Sequence, residues 1–315
     1  MIKGGDKGDS LYLGVEIGGT KLQICVGDAA GQVSERFCFT VNKTAGAAGI
    51  RSQLEKTIPG LARRVKPGAI GVGFGGPVDW RKGRICRSHQ IEGWSEFPIA
   101  AWFSELARAP VQVDNDGDVG ALGEALHGAG ADFKIVFYVT LGSGVGGGLV
   151  RDGTIYHGAM PGEAEIGHIR LDRSGTILES RCSGWAVDAR IRAAALNNPG
   201  SPLAKCVGAA TANEAKFLAA ALTANDPVAK QILNETADDL AFGLSHVTQL
   251  FHPEVIVLGG GLSLVGEPLR AAVEKALRGY VMEAFAPGPR IALSRLREDA
   301  VPVGALSLAK IPCVE

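Results

Sequence analysis

The stretch VQVDNDGDVGALGE, Val111 to Glu124, sets Asn115 and Asp116 at the end of a short apolar run and directly before a helical pattern. A carboxylate held at a strand end is suited to take the proton of an attacking hydroxyl. The same residue type at a helix start also serves as a plain cap. Asp118, further along, is the first-turn acid that a helix dipole favours.

Glycine-rich turns flank this stretch. GVEIGGTK carries Gly18, Gly19, Thr20 and Lys21, and TLGSGVGGGLV carries Gly142, Ser143 and Gly144. Each joins two strand-like runs and combines a hydroxyl with N–H groups that no Cβ obstructs, which suits the gripping of a polyphosphate. A glycine pair in a hairpin is also ordinary turn chemistry, so the pairing of two such turns is more specific than either. Neither is a Walker loop or a dinucleotide fingerprint. A third cluster, Gly259, Gly260 and Gly261, follows the buried run VIVL and precedes a helical pattern. That arrangement makes either a pocket edge for a base or ribose or a plain tight connection.

HGAMPGEAEIGHIRLD contributes Glu163, Glu165 and His168, with Glu179 further on. Glu-x-x-His on a helix is a metal-ligand spacing, but Gly162 and Gly167 weaken any regular helix there. A loop offering carboxylate and imidazole matches sugar hydroxyls, each of which both donates and accepts. For each acid singly, a solvated surface position is the alternative.

The elements that position these residues follow from periodicity. Leu11 to Val15, Leu22 to Val26 and Val33 to Thr40 read as an antiparallel opening. A helix over Ala47 to Val65, a buried strand Ala69 to Phe74, a helix Pro98 to Leu106 and a strand Val111 to Val113 complete a first α/β half. Beyond Asp116 a helix is expected through His127. Strands at Ile135 to Leu141, Val145 to Val150 and near Thr154 to Tyr156 then repeat the opening. Helices are expected over Trp185 to Leu196, Ala212 to Leu222, Pro227 to Phe251 and Ser263 to Tyr280, with strands at Val255 to Leu258 and Arg290 to Ser294 and a closing helix Pro302 to Ala309. Two similar sheets suggest an internal duplication with a cleft between two lobes.

With 315 residues the chain has room for two domains of ordinary size. A net charge of -1 gives no electrostatic case for nucleic acid or an anionic membrane. No apolar run approaches the length of a membrane span, and Met1 to Ser10 is unlike a signal peptide, so a cytoplasmic location is expected. The scattered cysteines Cys25, Cys38, Cys86, Cys182, Cys206 and Cys313 form no C-x-x-C pair and read as reduced thiols.

In their order, these motifs resemble those of the ROK family of sugar kinases and sugar-responsive repressors, over nearly the whole chain. GVEIGGTKLQ resembles the family's first phosphate motif, VGFGGPVD and IEGW its sugar-side loops, VDNDGDVGALGE its catalytic strand and helix, TLGSGVGGGLVRDG its second phosphate motif, GEAEIGH its sugar-binding motif and PEVIVLGGGLS its adenosine motif. The resemblance implies an actin-like, hexokinase-type ATPase fold (ribonuclease H-like, α/β). It implies a small lobe of residues 1–116 and 301–315 and a large lobe of 117–300. It makes Asp116 the catalytic base and assigns Asn115, Gly76, Pro77, Glu165, His168 and Glu179 to the sugar. ATP would take Gly18, Gly19, Thr20, Lys21, Gly142, Ser143, Gly144, Gly259, Gly260 and Gly261. Mg²⁺ would lie near Glu16, which stands where most members have Asp. A homodimer is implied as well.

The Cys-rich loop that binds structural zinc in the family is replaced by GHIRLDRSGTILESRCSG, so zinc is not expected and packing would have to hold the loop. The first strand begins near Leu11, too early for the repressors' DNA-binding segment. The resulting expectation is an ATP-dependent hexose 6-kinase, glucose first. Fructose, mannose and the N-acetylhexosamines follow, Gln90 tuning the choice, and polyphosphate is an alternative donor. A catalytically silent sugar-binding regulator is the competing class.

Overall fold

The computed structural model describes residues 10–86, 91–160, 162 and 164–311. In chain order the first elements are strands β1 (Tyr12–Ile17), β2 (Lys21–Gly27) and β3 (Val33–Thr40), helix α1 (Gly46–Val65), and strands β4 (Ile70–Phe74), β5 (Val78–Asp79) and β6 (Arg84–Ile85). Helix α2 (Ile99–Ala107), β7 (Val111–Asn115), α3 (Asp116–His127), β8 (Ile135–Leu141), β9 (Val145–Arg151) and β10 (Thr154–Ile155) follow. Then come α4 (Leu178–Cys182), α5 (Gly184–Asn197), α6 (Pro202–Val207), α7 (Leu218–Thr223), α8 (Pro227–Phe251), β11 (Val255–Gly259), α9 (Glu267–Leu277), β12 (Arg290–Leu293) and α10 (Ala300–Leu308). No described helix is long and apolar enough to cross a membrane.

Two compact units divide the chain. The first comprises Met1–Ala131, Gly153–Glu163 and Glu298–Glu315, the second Asp132–Asp152 and Ala164–Arg297. In the first, strands run in the order β3-β2-β1-β4-β7, antiparallel through β3, β2 and β1 and parallel from β1 through β4 to β7. In the second, β9 pairs antiparallel with β8, which pairs parallel with β11, and β11 with β12. The same pairing scheme thus occurs twice, as the repeated opening predicts. Each sheet has its own core, around Leu13, Ile24, Ile70 and Phe103 in the first unit and Val139, Leu240, Ile256 and Leu258 in the second.

The expected boundary after residue 116 is not where the units part, because α3 is held in the first unit by α10. The two helices touch backbone to backbone: a Cβ on Gly304 would lie 1.8 Å from Val119 O, and one on Gly123 2.3 Å from Ala300 O. Helix α10 also lies against the sheet, where a Cβ on Gly71 would meet Ala305 O at 1.8 Å. Segment Gly153–Glu163 joins the same unit because His157 reaches Asp114 on β7.

Local chemistry explains where the helices depart from their expected limits. The helix expected over Ala212 to Leu222 is a 3₁₀ turn at Glu214–Phe217 followed by α7, since Asn213 is left-handed and the Ala215 N–H is taken by Asp188 Oδ1 at 2.7 Å. The expected helix from Ser263 to Tyr280 begins as a 3₁₀ turn at Gly261–Val265. Gly266, at φ 81°, breaks it, and α9 starts only at Glu267 and stops at Leu277. Helices α4 and α6 and the β5–β6 hairpin went unanticipated because each is six residues or shorter, too short to show a period.

Two glycine substitutions should act in opposite directions. Gly304→Ala should destabilise by about 1–3 kcal/mol, because backbone on the other helix cannot yield. Gly60, inside α1 with no atom within 4 Å of its Cβ position, should gain about 0.5–1 kcal/mol on replacement by Ala. Denaturant unfolding of both variants measures these shifts.

Candidate functional site

In the first unit the ends of β1, β4 and β7 bring three segments together. Gly75 N–H donates to Ile17 O at 2.8 Å. A Cβ on Gly75 would lie 3.2 Å from Asp116 Oδ2, 3.4 Å from Gly18 Cα and 3.4 Å from Ile17 O. The carboxylate singled out as a base and the first glycine turn are therefore neighbours on either side of Gly75, where a Cβ would fit tightly.

The helix cap is Asn115, not Asp116. Asn115 is extended, at φ -61° and ψ 144°, and its Oδ1 accepts from Gly117 N–H at 2.8 Å. Its Nδ2 donates to Gly76 O at 3.1 Å. With the cap supplied by its neighbour, Asp116 is the first residue of α3, half-buried, at the helix end that favours an anion. Each Asn115 amide atom keeps one further hydrogen-bonding position. Pro77 follows Gly76 and accepts from Cys86 N–H through its carbonyl at 3.0 Å.

Glu16 is buried on β1, and burial raises its carboxyl pKa while a hydrogen bond from Gln23 lowers it. Gly18 N–H donates to Lys21 O at 2.8 Å, closing the turn, with Gly19 buried and Thr20 exposed. Lys21 makes an exposed ion pair with Glu298 at 3.7 Å, which contributes little.

Sequence reasoning missed Asp114, His157 and Trp80. Asp114 is 4% exposed; its Oδ2 meets His157 Nε2 at 2.7 Å and its Oδ1 accepts from Asn115 N–H at 2.9 Å. The His157 ring stacks on Trp80 with centroids 4.2 Å apart. A buried acid directly before Asn115 was the available signal, but its partner lies 43 residues away.

In the second unit the turn between β8 and β9 is held from two sides. Gly142 N–H donates to Gly144 O at 2.9 Å, and Gly142 O accepts from Gly184 N–H, at the start of α5, at 2.7 Å. Glu179 Oε2 accepts from Val145 N–H at 2.9 Å, and a Cβ on Gly144 would lie 2.5 Å from it. Glu179, expected to face sugar, thus has one oxygen committed to the glycine turn, next to half-buried Ser143. His168 and Glu165 are exposed at either end of a 3₁₀ turn that packs on β9 through Gly167, whose Cβ would meet Val145 O at 2.2 Å. Glu163 and Gln90 lie outside the described residues.

Packing alone does not hold the loop between His168 and Glu179. Ile169 O accepts from Leu178 N–H at 2.9 Å, Arg170 and Ile177 form an antiparallel bridge, and Leu171 N–H donates to Thr176 O at 2.8 Å. Asp172 Oδ1 closes the turn by accepting from Ser174 Oγ at 2.6 Å, Gly175 N–H at 2.9 Å and Thr176 N–H at 3.2 Å. These bonds place His168 and Glu179 at the same, open end of one short ladder, opposite its turn. Cys182 is directed elsewhere: its Sγ donates to Thr236 O at 3.6 Å, and burial pushes its thiol pKa up to about 12. Among the described residues no three His, Cys, Asp or Glu side chains are grouped to hold a metal.

The glycines separate into two kinds. Gly259 and Gly260 are demanded by packing, since their Cβ atoms would meet Tyr138 Oη at 2.3 Å and Leu141 backbone at 2.5 Å. Gly261 has nothing within 4 Å, Gly142 only its own turn's Gly144 O at 3.9 Å, and Gly18 only Lys21 atoms from 3.5 Å outward. These three leave backbone uncovered, Gly18 in the first unit and Gly142 and Gly261 in the second. For Mg²⁺ the fit is Glu16, a hard oxygen donor at the base of the first turn, since this ion commonly uses one or two carboxylates plus substrate phosphates.

A model of the ROK family matches residues 12–311. The glucokinase of Halalkalibacterium halodurans is 31% identical over 317 residues, covering 96% of this chain and 96% of the relative. The glucokinase of Thermotoga maritima is 26% identical, covering 95% and 96%. Among solved structures, a ROK family glucokinase from Streptomyces griseus in complex with glucose and AMPPNP has a TM-score of 0.84 at 29% identity, covering 96% of this chain and 99% of that one.

The Asp172 turn makes a pH-dependent prediction. Its hydrogen bonds, from Ser174 and then Thr176, hold the Asp172 carboxyl below the usual carboxylate range. A depressed folded-state pKa contributes stability that is present above the ordinary value of 3.8 and lost as pH falls below it. Asp172→Ala should therefore melt at a lower temperature than the parent at pH 7, with the gap narrowing below about pH 4. Thermal melts across that range test it.

Proposed function

The chain belongs to the ROK family and has its actin-like ATPase fold, and on that premise we propose that it is an ATP-dependent sugar kinase that phosphorylates the 6-hydroxyl of a hexose, with glucose as the substrate. The observation that carries the reading is the meeting of Asp116, Gly75 and the first glycine turn at one set of strand ends. A base and a phosphate-binding turn share that place. Phosphoryl transfer asks for little more than a positioned nucleophile, a proton acceptor and charge stabilisation around the phosphates.

In the proposed reaction Asp116 accepts the hydroxyl proton as the sugar oxygen attacks the γ-phosphorus. The new P–O bond forms as the bond to the β-phosphate oxygen breaks, and ADP leaves with that electron pair. Asn115 orients the sugar with the hydrogen-bonding capacity left over from its cap and from Gly76. Glu165 and His168, both exposed, and the second oxygen of Glu179 receive the remaining hydroxyls, with Gly76 and Pro77 lining the approach. The open backbone at Gly18, Gly142 and Gly261, with Gly19, Thr20, Lys21, Ser143 and Gly144 beside it, binds ATP. Glu16 is the residue that would hold Mg²⁺, and the ion, when bound, neutralises charge on the β- and γ-phosphates. The likeness to the glucokinase of Halalkalibacterium halodurans and to the Streptomyces griseus glucokinase in complex with glucose supports glucose as the acceptor.

The test is ATP-dependent sugar phosphate formation over glucose, fructose, mannose, N-acetylglucosamine and N-acetylmannosamine, with polyphosphate as a rival donor. The highest kcat/KM is expected for glucose with ATP. Formation of no sugar phosphate by a protein that binds glucose would reject the kinase and leave a sugar-responsive regulator. Asp116→Asn should lower kcat by roughly 10²–10⁴-fold while shifting glucose affinity, measured by calorimetry, far less.

A further inference from the structure

Beneath the first glycine turn, a polar chain runs across three strands of the first unit. Glu16 on β1 and Gln23 on β2 are cross-strand partners. Gln23 Nε2 donates to Glu16 Oε2 at 2.5 Å, and Gln23 Oε1 accepts from Arg36 Nη1, on β3, at 3.0 Å. Arg36 Nη2 in turn meets Asp299 Oδ1, just before α10, at 2.6 Å. Glu16 is 9% exposed and Gln23 7% exposed, so both ends of the amide are fixed away from bulk water.

The direction of this chain is set at its outer end. A guanidinium can only donate, so Arg36 requires the Gln23 carbonyl oxygen on its side, and Asp299 holds Arg36 in place. The Gln23 NH₂ must then point at Glu16. Because Gln23 occupies Oε2, the Glu16 carboxylate is held in one rotation, and Oε1 makes no hydrogen bond among the described residues. Glutamate at this position has one more rotatable bond than aspartate and needs such a restraint if it is to present a defined oxygen.

We propose that Gln23 and Arg36 are positioning residues that orient Glu16 toward the magnesium of the bound nucleotide. The inference rests on the kinase reading above, in which Glu16 stands beside the phosphates. Neither residue touches substrate. They act by fixing which Glu16 oxygen is available and where it points, so their removal should affect the metal-dependent part of nucleotide binding and leave the rest.

Calorimetric titration with AMPPNP, in Mg²⁺ and in EDTA, separates those parts without turnover. Gln23→Met, of similar volume, should weaken Mg·AMPPNP binding about tenfold and Arg36→Met about threefold, the scale of one lost buried hydrogen bond and of one loosened at its far end. Binding of AMPPNP in EDTA and of glucose alone should stay within about twofold of the parent, which also reports that the variants are folded. Should Gln23→Met fail to melt cooperatively, the more exposed Arg36→Met carries the same comparison. Unchanged Mg·AMPPNP affinity, or equal losses with and without Mg²⁺, overturns the positioning role. A parent protein that binds no Mg·AMPPNP overturns the kinase reading instead.

Discussion

Two hydrogen bonds of the Asn115 amide, from Gly117 N–H and to Gly76 O, tie together a strand end, a helix start and the loop after a neighbouring strand. An uncapped helix N-terminus leaves orphan N–H groups that cost stability, so the cap anchors α3 against β7 and fixes the backbone of the next residue. Asp116 takes its place from that constraint. A carboxylate that had to cap the helix itself would have its oxygens turned back onto the backbone. The cap belongs to the preceding asparagine, so Asp116 is not the residue that closes the helix end.

The constraint propagates through close backbone contact rather than through bulky packing. Helix α10 lies on α3 and on the sheet through Gly304, Gly123 and Gly71, which holds the helix that begins at Asp116 to the strands beside it. The same device appears in the second unit. There Gly144 makes room for the Glu179 carboxylate and Gly167 for Val145 O, so the second glycine turn and the His168 loop share one support. Glycine serves two purposes in this protein, and only the space above each residue separates them: some allow main chains to touch, and a few leave main chain bare.

Much of the architecture was legible in residue order. Alternation in Val33–Thr40 and the apolar run Ile135–Leu141 placed those strands at their observed limits, and the helical pattern from Pro227 to Phe251 matches α8. Long periodic segments betray themselves because many side chains vote on one face. Helix ends in the second unit were less legible. There the decisive events were a left-handed Asn213, a side-chain claim on the Ala215 N–H, and Gly266 at positive φ, each a single-residue effect that a periodic pattern overrides on paper.

Composition and spacing by themselves determined the α/β class, the doubled hairpin-first plan, the glycine turns and the placing of Asn115-Asp116 at a strand end before a helix. These depend on short-range patterns and on which residue types can do acid–base or phosphate chemistry. Only the tertiary structure decided that Asn115 rather than Asp116 is the cap, that Asp114 pairs with His157, that Glu179 braces a glycine turn, and that Gln23 and Arg36 fix Glu16. The reason is physical: these are contacts among polar groups on different strands and helices, some separated by tens of residues. Hydrogen bonds are directional over about 3 Å, so their partners are chosen by where the folded backbone brings each atom.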